Sequence, residues 1–222
     1  MKQSVVRNGL ILSAFAMLTS GLIGLTYFGT KQQIEHQQQQ KLQGILNAII
    51  PPASYNNQLA NNCTQFTSLD YLGSDEPQTI FRAYLDGEPV AVAIETTAPD
   101  GYSGKIAIVV GLTDDADGNT IISGVRVLEH KETPGLGDKI DLRVSDWVLS
   151  FADKVLNSSN ANRFAVKKDG GQFDQFTGAT ISPRAVVKAV KRSAEYYQQN
   201  KAAIFAANNT CGTEQFSPQE VE

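Results

Sequence analysis

The sequence predicts an α+β fold: an antiparallel sheet packed with helices, preceded by one N-terminal transmembrane helix. Three observations lead there. An uncharged, largely apolar stretch runs from Asn8 to Thr30. Residues 79–130 hold four runs rich in β-favouring side chains, punctuated by Asp-Gly turns. Two amphipathic segments follow, at 145–156 and 182–197, and helices are what bury the open face of such a sheet.

The apolar stretch comes first. A helix of about 20 apolar residues crosses a bilayer core, whereas a cleaved signal peptide has a shorter apolar region ending in an A-x-A-like site. No such site follows "GLILSAFAMLTSGLIGLTYFG", so residues 1–30 read as a retained anchor. Lys2 and Arg7 precede the span, and although Lys31 and Lys41 lie beyond it, the expectation is a cytoplasmic N-terminus with the main domain outside.

Residues 31–52 read as a helical stalk. A Gln-rich run containing a solvated His36 gives way to Leu42, Ile45, Leu46 and Ile49, spaced as one face of a helix that Pro51-Pro52 ends. Residues 53–222 form the expected folded domain. Its first part, 53–78, is polar and turn-rich with no clear period. "TIFRAYLDGEPVAVAIETT" then reads as a hairpin turning at Asp86-Gly87. "GKIAIVVGLT" and "TIISGVRVLEH" form a second pair joined across Asp114 to Asn119, and the four strands make a meander. "SDWVLSFADKVL" predicts a helix capped by Ser145 with Trp147, Val148, Phe151 and Val155 on one side. "SPRAVVKAVKRSAEYY" predicts another, with Ser182 as N-cap, Pro183 at the first helical position, and an apolar stripe of Val186, Val187, Val190, Ala194 and Tyr197.

Composition excludes several chemistries. The net charge is -4, and the only basic clusters are pairs such as Lys167-Lys168 and Lys191-Arg192, so no nucleic-acid footprint is present. Two histidines and two cysteines do not make a zinc cluster of ordinary spacing. "PGLGDKI" has Ile140 where G-x-G-x-x-G needs a third glycine, and no phosphate-binding P-loop motif occurs. Cys63 and Cys211 bracket the domain and are too far apart for a C-x-x-C motif. In an oxidising compartment they pair, tying the segment after the stalk to the C-terminal tail; otherwise they are two unrelated thiols.

Two segments exceed what folding needs. "HKETPGLGDKI" places a polar cluster and a Pro-Gly-Leu-Gly loop after a strong strand, and glycines let backbone approach a ligand. "DQFTGATISPRAVV" places Thr177 and Thr180 around Gly178-Ala179 at a helix start, where free N–H groups and the helix dipole favour an anion such as phosphate. Helix physics does not choose among anions.

Asp174-Gln-Phe-Thr-Gly-Ala-Thr180 resembles the D-x-x-[ST]-G-A-[ST] acceptor motif of the covalent FMN-binding domain family, and every fixed position matches. Together with the N-terminal anchor, "LNAIIPP" and "HKETPGLGDKI", the chain resembles the G-subunit family of the bacterial Rnf (Rsx) ion-translocating electron transport complexes over nearly its whole length. The C-subunit family of the sodium-translocating NADH:quinone reductases is a related alternative that shares the flavin motif and is usually longer. A flavin-free, membrane-tethered assembly module is the alternative from another class.

The Rnf resemblance implies a redox component of an inner-membrane translocase, not a stand-alone enzyme. It implies FMN joined by a phosphoester to Thr180, with Asp174, Thr177, Gly178 and Ala179 as the sequence read by a flavin transferase. Glu132, Thr133, Gly135, Leu136 and Gly137, preceded by His130, match the family's second motif, which lines the flavin. Ser103-Gly104 is a further candidate for approach to the cofactor. The implied partners are the other membrane and peripheral subunits of the Rnf complex and the maturing transferase. The implied location is the inner membrane, with a periplasmic domain. The implied activity couples electron transfer between NADH and ferredoxin-type carriers to cation movement. The redox chemistry then belongs to the cofactor, and a chain poor in His and Cys suffices to place it.

Overall fold

Helix α1, Lys2–Ile49, begins the structure, a computed structural model that describes residues 2–157 and 159–211. The expected anchor and domain also include Met1, Ser158 and residues 212–222, which lie outside the described residues. The chain forms two compact units, one ending at Leu42 and the other beginning at Gln43.

The first unit is helical and contains a segment long and apolar enough to cross a membrane. Leu10, Leu22 and Phe28 stand exposed along it. Several of its hydroxyls are satisfied within the helix: Ser13 donates to the Gly9 carbonyl at 2.8 Å, Thr19 to Phe15 at 3.0 Å and Thr26 to Leu22 at 2.8 Å. A hydrocarbon environment supplies no water to bond these groups, so internal pairing is what it demands.

The second unit is built on a six-stranded antiparallel meander in sequence order: β1 (Cys63–Ser68), β2 (Ser74–Leu85), β3 (Glu88–Ala98), β4 (Ile106–Asp114), β5 (Thr120–Glu129) and β6 (Lys154–Leu156). The turn joining β2 to β3 is the two-residue Asp86-Gly87, with φ of 52° and 88°. Paired positive φ values match the right-handed twist of the flanking strands.

The two outer strands differ from the sequence expectation. Residues 53–78 contain β1, which pairs along β2, and a one-turn helix α2, Leu69–Leu72. The segment 145–156 is not an α-helix. A 3-10 helix covers Asp146–Phe151, and Val155 sits in β6. Ser145 caps it as expected, accepting from the Trp147 N–H at 3.1 Å. The free edge of β5 then takes the chain: Asp153, at φ 60°, donates its N–H to the Ile122 carbonyl at 2.9 Å.

Helix α3, Ile181–Ala206, covers one face of the sheet. Its Val186, Val187, Val190, Ala194 and Tyr197 are buried in one cluster with Ile80, Val92, Ile94, Ile108, Val110, Ile122 and Val125. The helix starts earlier than expected. Thr180, not Ser182, is the N-cap residue, and its carbonyl accepts the Arg184 N–H at 3.2 Å. Pro183 still lies in the first turn, where its missing N–H costs nothing. At the far end the buried Arg82 donates to the carbonyls of Ile204 (3.2 Å) and Ala207 (2.5 Å), meeting the negative pole of the helix.

The opposite face is apolar too, because Phe81, Ala93 and Val109 alternate with the core set and are also buried. The last turns of α1, within the second unit, are buried there at Leu46 and Ile49, as is Ile50 just beyond them. Gly111 and Gly124 face each other across β4 and β5 and make a notch for Ile49. A Cβ on Gly124 would lie 2.8 Å from the Ile49 Cα. Ser123 holds the helix end by donating to the Ile49 carbonyl at 2.6 Å. Gly124→Ala is therefore expected to lower unfolding stability by about 1–3 kcal/mol, the usual cost of overpacking. An unchanged urea midpoint would show that this contact contributes nothing.

Candidate functional site

At the N-terminus of α3 a cleft of about 280 Å³ is lined by Tyr102, Glu132, Thr133, Leu136, Gly137, Gly178, Ala179, Thr180, Ile181 and Ser182. The two motif segments, far apart in the chain, meet there. The meander puts the end of β5 beside the start of α3, and the Pro-Gly-Leu-Gly loop folds against that first turn.

The turn before α3 is built by glycine. Phe176 to Ala179 close a turn in which the Ala179 N–H donates to the Phe176 carbonyl at 3.1 Å, with Gly178 at φ 81°. A side chain at this φ is strained, and a Cβ there would meet only the Leu136 Cδ2, at 3.8 Å. Thr180 follows as N-cap, partly exposed, and its hydroxyl makes no capping bond. Thr177 is exposed in the turn and does not line the cleft.

Asp174 also lies outside the cleft and braces the segment instead. Its carboxylate pairs with Lys167 at 2.6 Å, and its carbonyl accepts the Trp147 indole N–H at 2.7 Å. The Trp147 ring meets Phe176 edge-on at 5.3 Å and Phe151 at 5.3 Å, so aromatic packing continues from the core to the turn before α3.

Glu132 is buried, 4% exposed. It accepts the Ser103 N–H at 2.9 Å and the Ser182 hydroxyl, a bond that explains why Ser182 does not act as the cap. Gly137 leaves room for this pair: a Cβ there would lie 2.4 Å from the Ser182 Oγ. Gly135, at φ 76°, shapes the loop without lining the cleft. Ser103 and Gly104 border a separate hollow of about 160 Å³ with His130. The His130 Nδ1 accepts the Glu132 N–H at 3.2 Å, and its Nε2 faces Asp141 at 3.5 Å.

Asp141 anchors this side. Hydrogen bonds from the Arg143 guanidinium, at 2.5 and 2.9 Å, hold its carboxyl below the usual carboxylate range. A depressed folded value contributes stability that is present above the unfolded value of about 4 and lost as pH falls through the folded one. Asp141→Asn is expected to flatten the acid limb of the stability profile below about pH 4. An acid limb identical to the wild type overturns this.

Tyr102, Ile181 and Ser182 line the cleft without any expectation from the sequence. The sequence assigns Ser182 only a capping role, and nothing in it marks Tyr102 beyond its place beside Ser103. Tyr102, Leu136 and Ile181 leave large apolar surface exposed at the rim, 69%, 44% and 44% respectively. The arrangement fits a group that is part anion and part flat apolar body. It offers an uncommitted hydroxyl at a helix mouth, glycine-cleared walls and an apolar rim, and no metal-binding group of His, Cys, Asp or Glu occurs among the described residues.

The FMN-binding domain family matches residues 101–195, and the RnfG N-terminal region matches residues 1–49. The G subunit of the ion-translocating oxidoreductase complex of Pseudoalteromonas atlantica is 63% identical, over 95% of this chain and 96% of its own length. The protein of the same name from Vibrio atlanticus is 49% identical over 96% and 100%, and that from Shewanella baltica 46% over 95% and 98%.

Proposed function

The chain belongs to the G-subunit family of ion-translocating oxidoreductase complexes, and on that premise we propose that it is a membrane-anchored electron-transfer component carrying FMN as a phosphoester on Thr180. The observation that supports this most is Thr180, the N-cap residue of α3, whose hydroxyl makes no capping bond and which lines a cleft shared by both motif segments.

This chain's residues bind and orient. The first-turn N–H groups of α3, at Ile181 and Ser182, and the positive end of its dipole favour the remaining phosphate charge. Esterification lowers that charge by converting a monoester to a diester. Gly137 and Gly178 keep the walls open, and the exposed Tyr102, Leu136 and Ile181 offer apolar contact to a ring system. The cleft lies at the small end of ligand pockets, which run about 300–1,000 Å³, so retention comes from the bond more than from enclosure. When bound, FMN supplies the electron acceptance and release, and the protein supplies placement and electrostatics.

In this reading Asp174, Thr177, Gly178 and Ala179 present the acceptor turn to a flavin transferase. The electrons pass to and from neighbouring subunits of an inner-membrane complex, and the complex couples NADH- and ferredoxin-type electron transfer to cation movement. The domain faces the periplasm, which agrees with Lys2 and Arg7 before the span and with a disulfide between Cys63 and Cys211. Co-expression with a flavin transferase tests the central point: the full-length protein is expected to give a fluorescent band on a denaturing gel. A dark band, where a known acceptor is labelled in parallel, overturns it.

A further inference from the structure

Glu132 places a carboxylate in the wall of the cleft while only 4% exposed. Its Oε1 accepts the Ser103 N–H at 2.9 Å and its Oε2 accepts the Ser182 hydroxyl. One side chain thus joins the turn before β4, the loop after β5 and the first turn of α3, the three segments that carry Tyr102, Leu136 and Ile181 to the rim. Two glycines clear space for it: a Cβ on Gly137 would lie 2.7 Å from Oε2, and one on Gly101 3.0 Å from Oε1.

Joining three segments does not require a charge. Burying a carboxylate carries a desolvation penalty that a neutral amide of the same shape avoids. Among the described residues no Lys, Arg or His forms an ion pair with Glu132. Both oxygens are placed to accept hydrogen bonds, so as a carboxylate this side chain sets a negative charge in the cleft wall that the Ser103 N–H and the Ser182 hydroxyl offset only in part.

We propose that Glu132 is a positioning residue that holds the three cleft segments together and, by its charge, lowers the reduction potential of the flavin carried on Thr180. This rests on the attachment proposed above. A flavin that takes up two electrons and one proton gains one negative charge, and a fixed carboxylate in a poorly solvated wall opposes that gain.

Redox titration of the labelled, full-length protein with dithionite above neutral pH, followed by flavin absorbance, tests it. In Glu132→Gln the amide oxygen still accepts from Ser103 and the amide N–H₂ donates to Ser182, so charge is lost while contacts are kept. Its midpoint is expected to move to a more positive potential. Ser182→Ala keeps the carboxylate and removes the hydroxyl that partly neutralises it, so its midpoint is expected to move the other way. An unmoved or more negative midpoint in Glu132→Gln overturns the proposal, as does a shift of both variants in one direction, which loosened packing would produce. Should Glu132→Gln take no label, Ser182→Ala decides alone: an unmoved or more positive midpoint overturns the proposal. A wild-type protein that takes no label refutes the attachment itself, a failure visible on the gel before any titration.

Discussion

Thr180→Ala, co-expressed with a flavin transferase, is expected to give a folded protein with no flavin fluorescence on a denaturing gel. On the proposed attachment the effect is all-or-none, since a single oxygen would form the ester. What makes the variant informative is its mild structural consequence. Replacing a Thr N-cap by Ala ordinarily costs about 0.5–2 kcal/mol through loss of the capping hydrogen bond. Thr180 makes no such bond, so its removal is expected near or below the low end of that range, and the unfolding midpoint stays close to that of the wild type. Loss of label without loss of fold then assigns the hydroxyl a chemical role. Thr177→Ala is the control: Thr177 lies in the same turn outside the cleft, and its variant is expected to keep the label. A fluorescent Thr180→Ala band that disappears in Thr177→Ala would move the attachment to Thr177.

The second large effect concerns the disulfide. Cys63 and Cys211 are joined across a separation of 148 residues, with Cα atoms 5.2 Å apart. In the chain-entropy model a loop of this length contributes about 5 kcal/mol, and measured values typically run about 2–4 kcal/mol. Local hydrogen bonds seat the bridge. The Thr210 N–H donates to the Cys63 carbonyl at 2.8 Å, the Cys63 N–H to the Asn209 Oδ1 at 2.9 Å, and the Asn209 amide to the Asn61 carbonyl at 2.9 Å. These bonds keep the segment after α3 beside β1 in the absence of the bridge, so Cys211→Ser is expected to fold and to be less stable. A loss of about 2–5 kcal/mol corresponds to a midpoint lower by roughly 4–20 °C in a domain of this size. Identical midpoints with and without reductant would remove the bridge from the stability account. Thiol labelling in intact cells adds the topology: both cysteines are expected to resist labelling until reductant is added, as in an oxidising compartment.

Much of the fold was legible because its signals are local. The alternation of Ile80, Val92, Ile108 and Val110 with their neighbours marks strands, the Asp86-Gly87 pair marks a hairpin, and the Val186 to Tyr197 stripe marks a covering helix. What was missed depends on partners distant in sequence. The outer strand β1 has few apolar positions and is recognised by its pairing with β2. The segment 145–156 has helical spacing, yet the open edge of β5 captures its last three residues as β6. Helix propensity yields when a tertiary partner offers the backbone better-placed hydrogen bonds.

The site divides in the same way. The two motif segments and the candidate Thr180 could be read from residues and resemblance, since each is a contiguous string. Their meeting in one cleft could not, and neither could the placement of Asp174 and Gly135 outside it. Ser182 shows the reason most clearly. By sequence it is a good N-cap, but Glu132, fifty residues earlier, takes its hydroxyl, and the cap moves back to Thr180 with its own hydroxyl unspent.

By itself, then, the sequence determined the apolar helix, the meander, the family and the small set of residues from which an attachment site must be drawn. Those follow from periodicity, turn chemistry and short motifs, which act between neighbours in the chain. The tertiary structure decided which residues face one another, that a buried carboxylate joins three walls of the cleft, and that one threonine at the helix mouth keeps a free hydroxyl. Such features arise from competition for hydrogen-bond partners and space among segments far apart in sequence, and only the folded chain settles that competition.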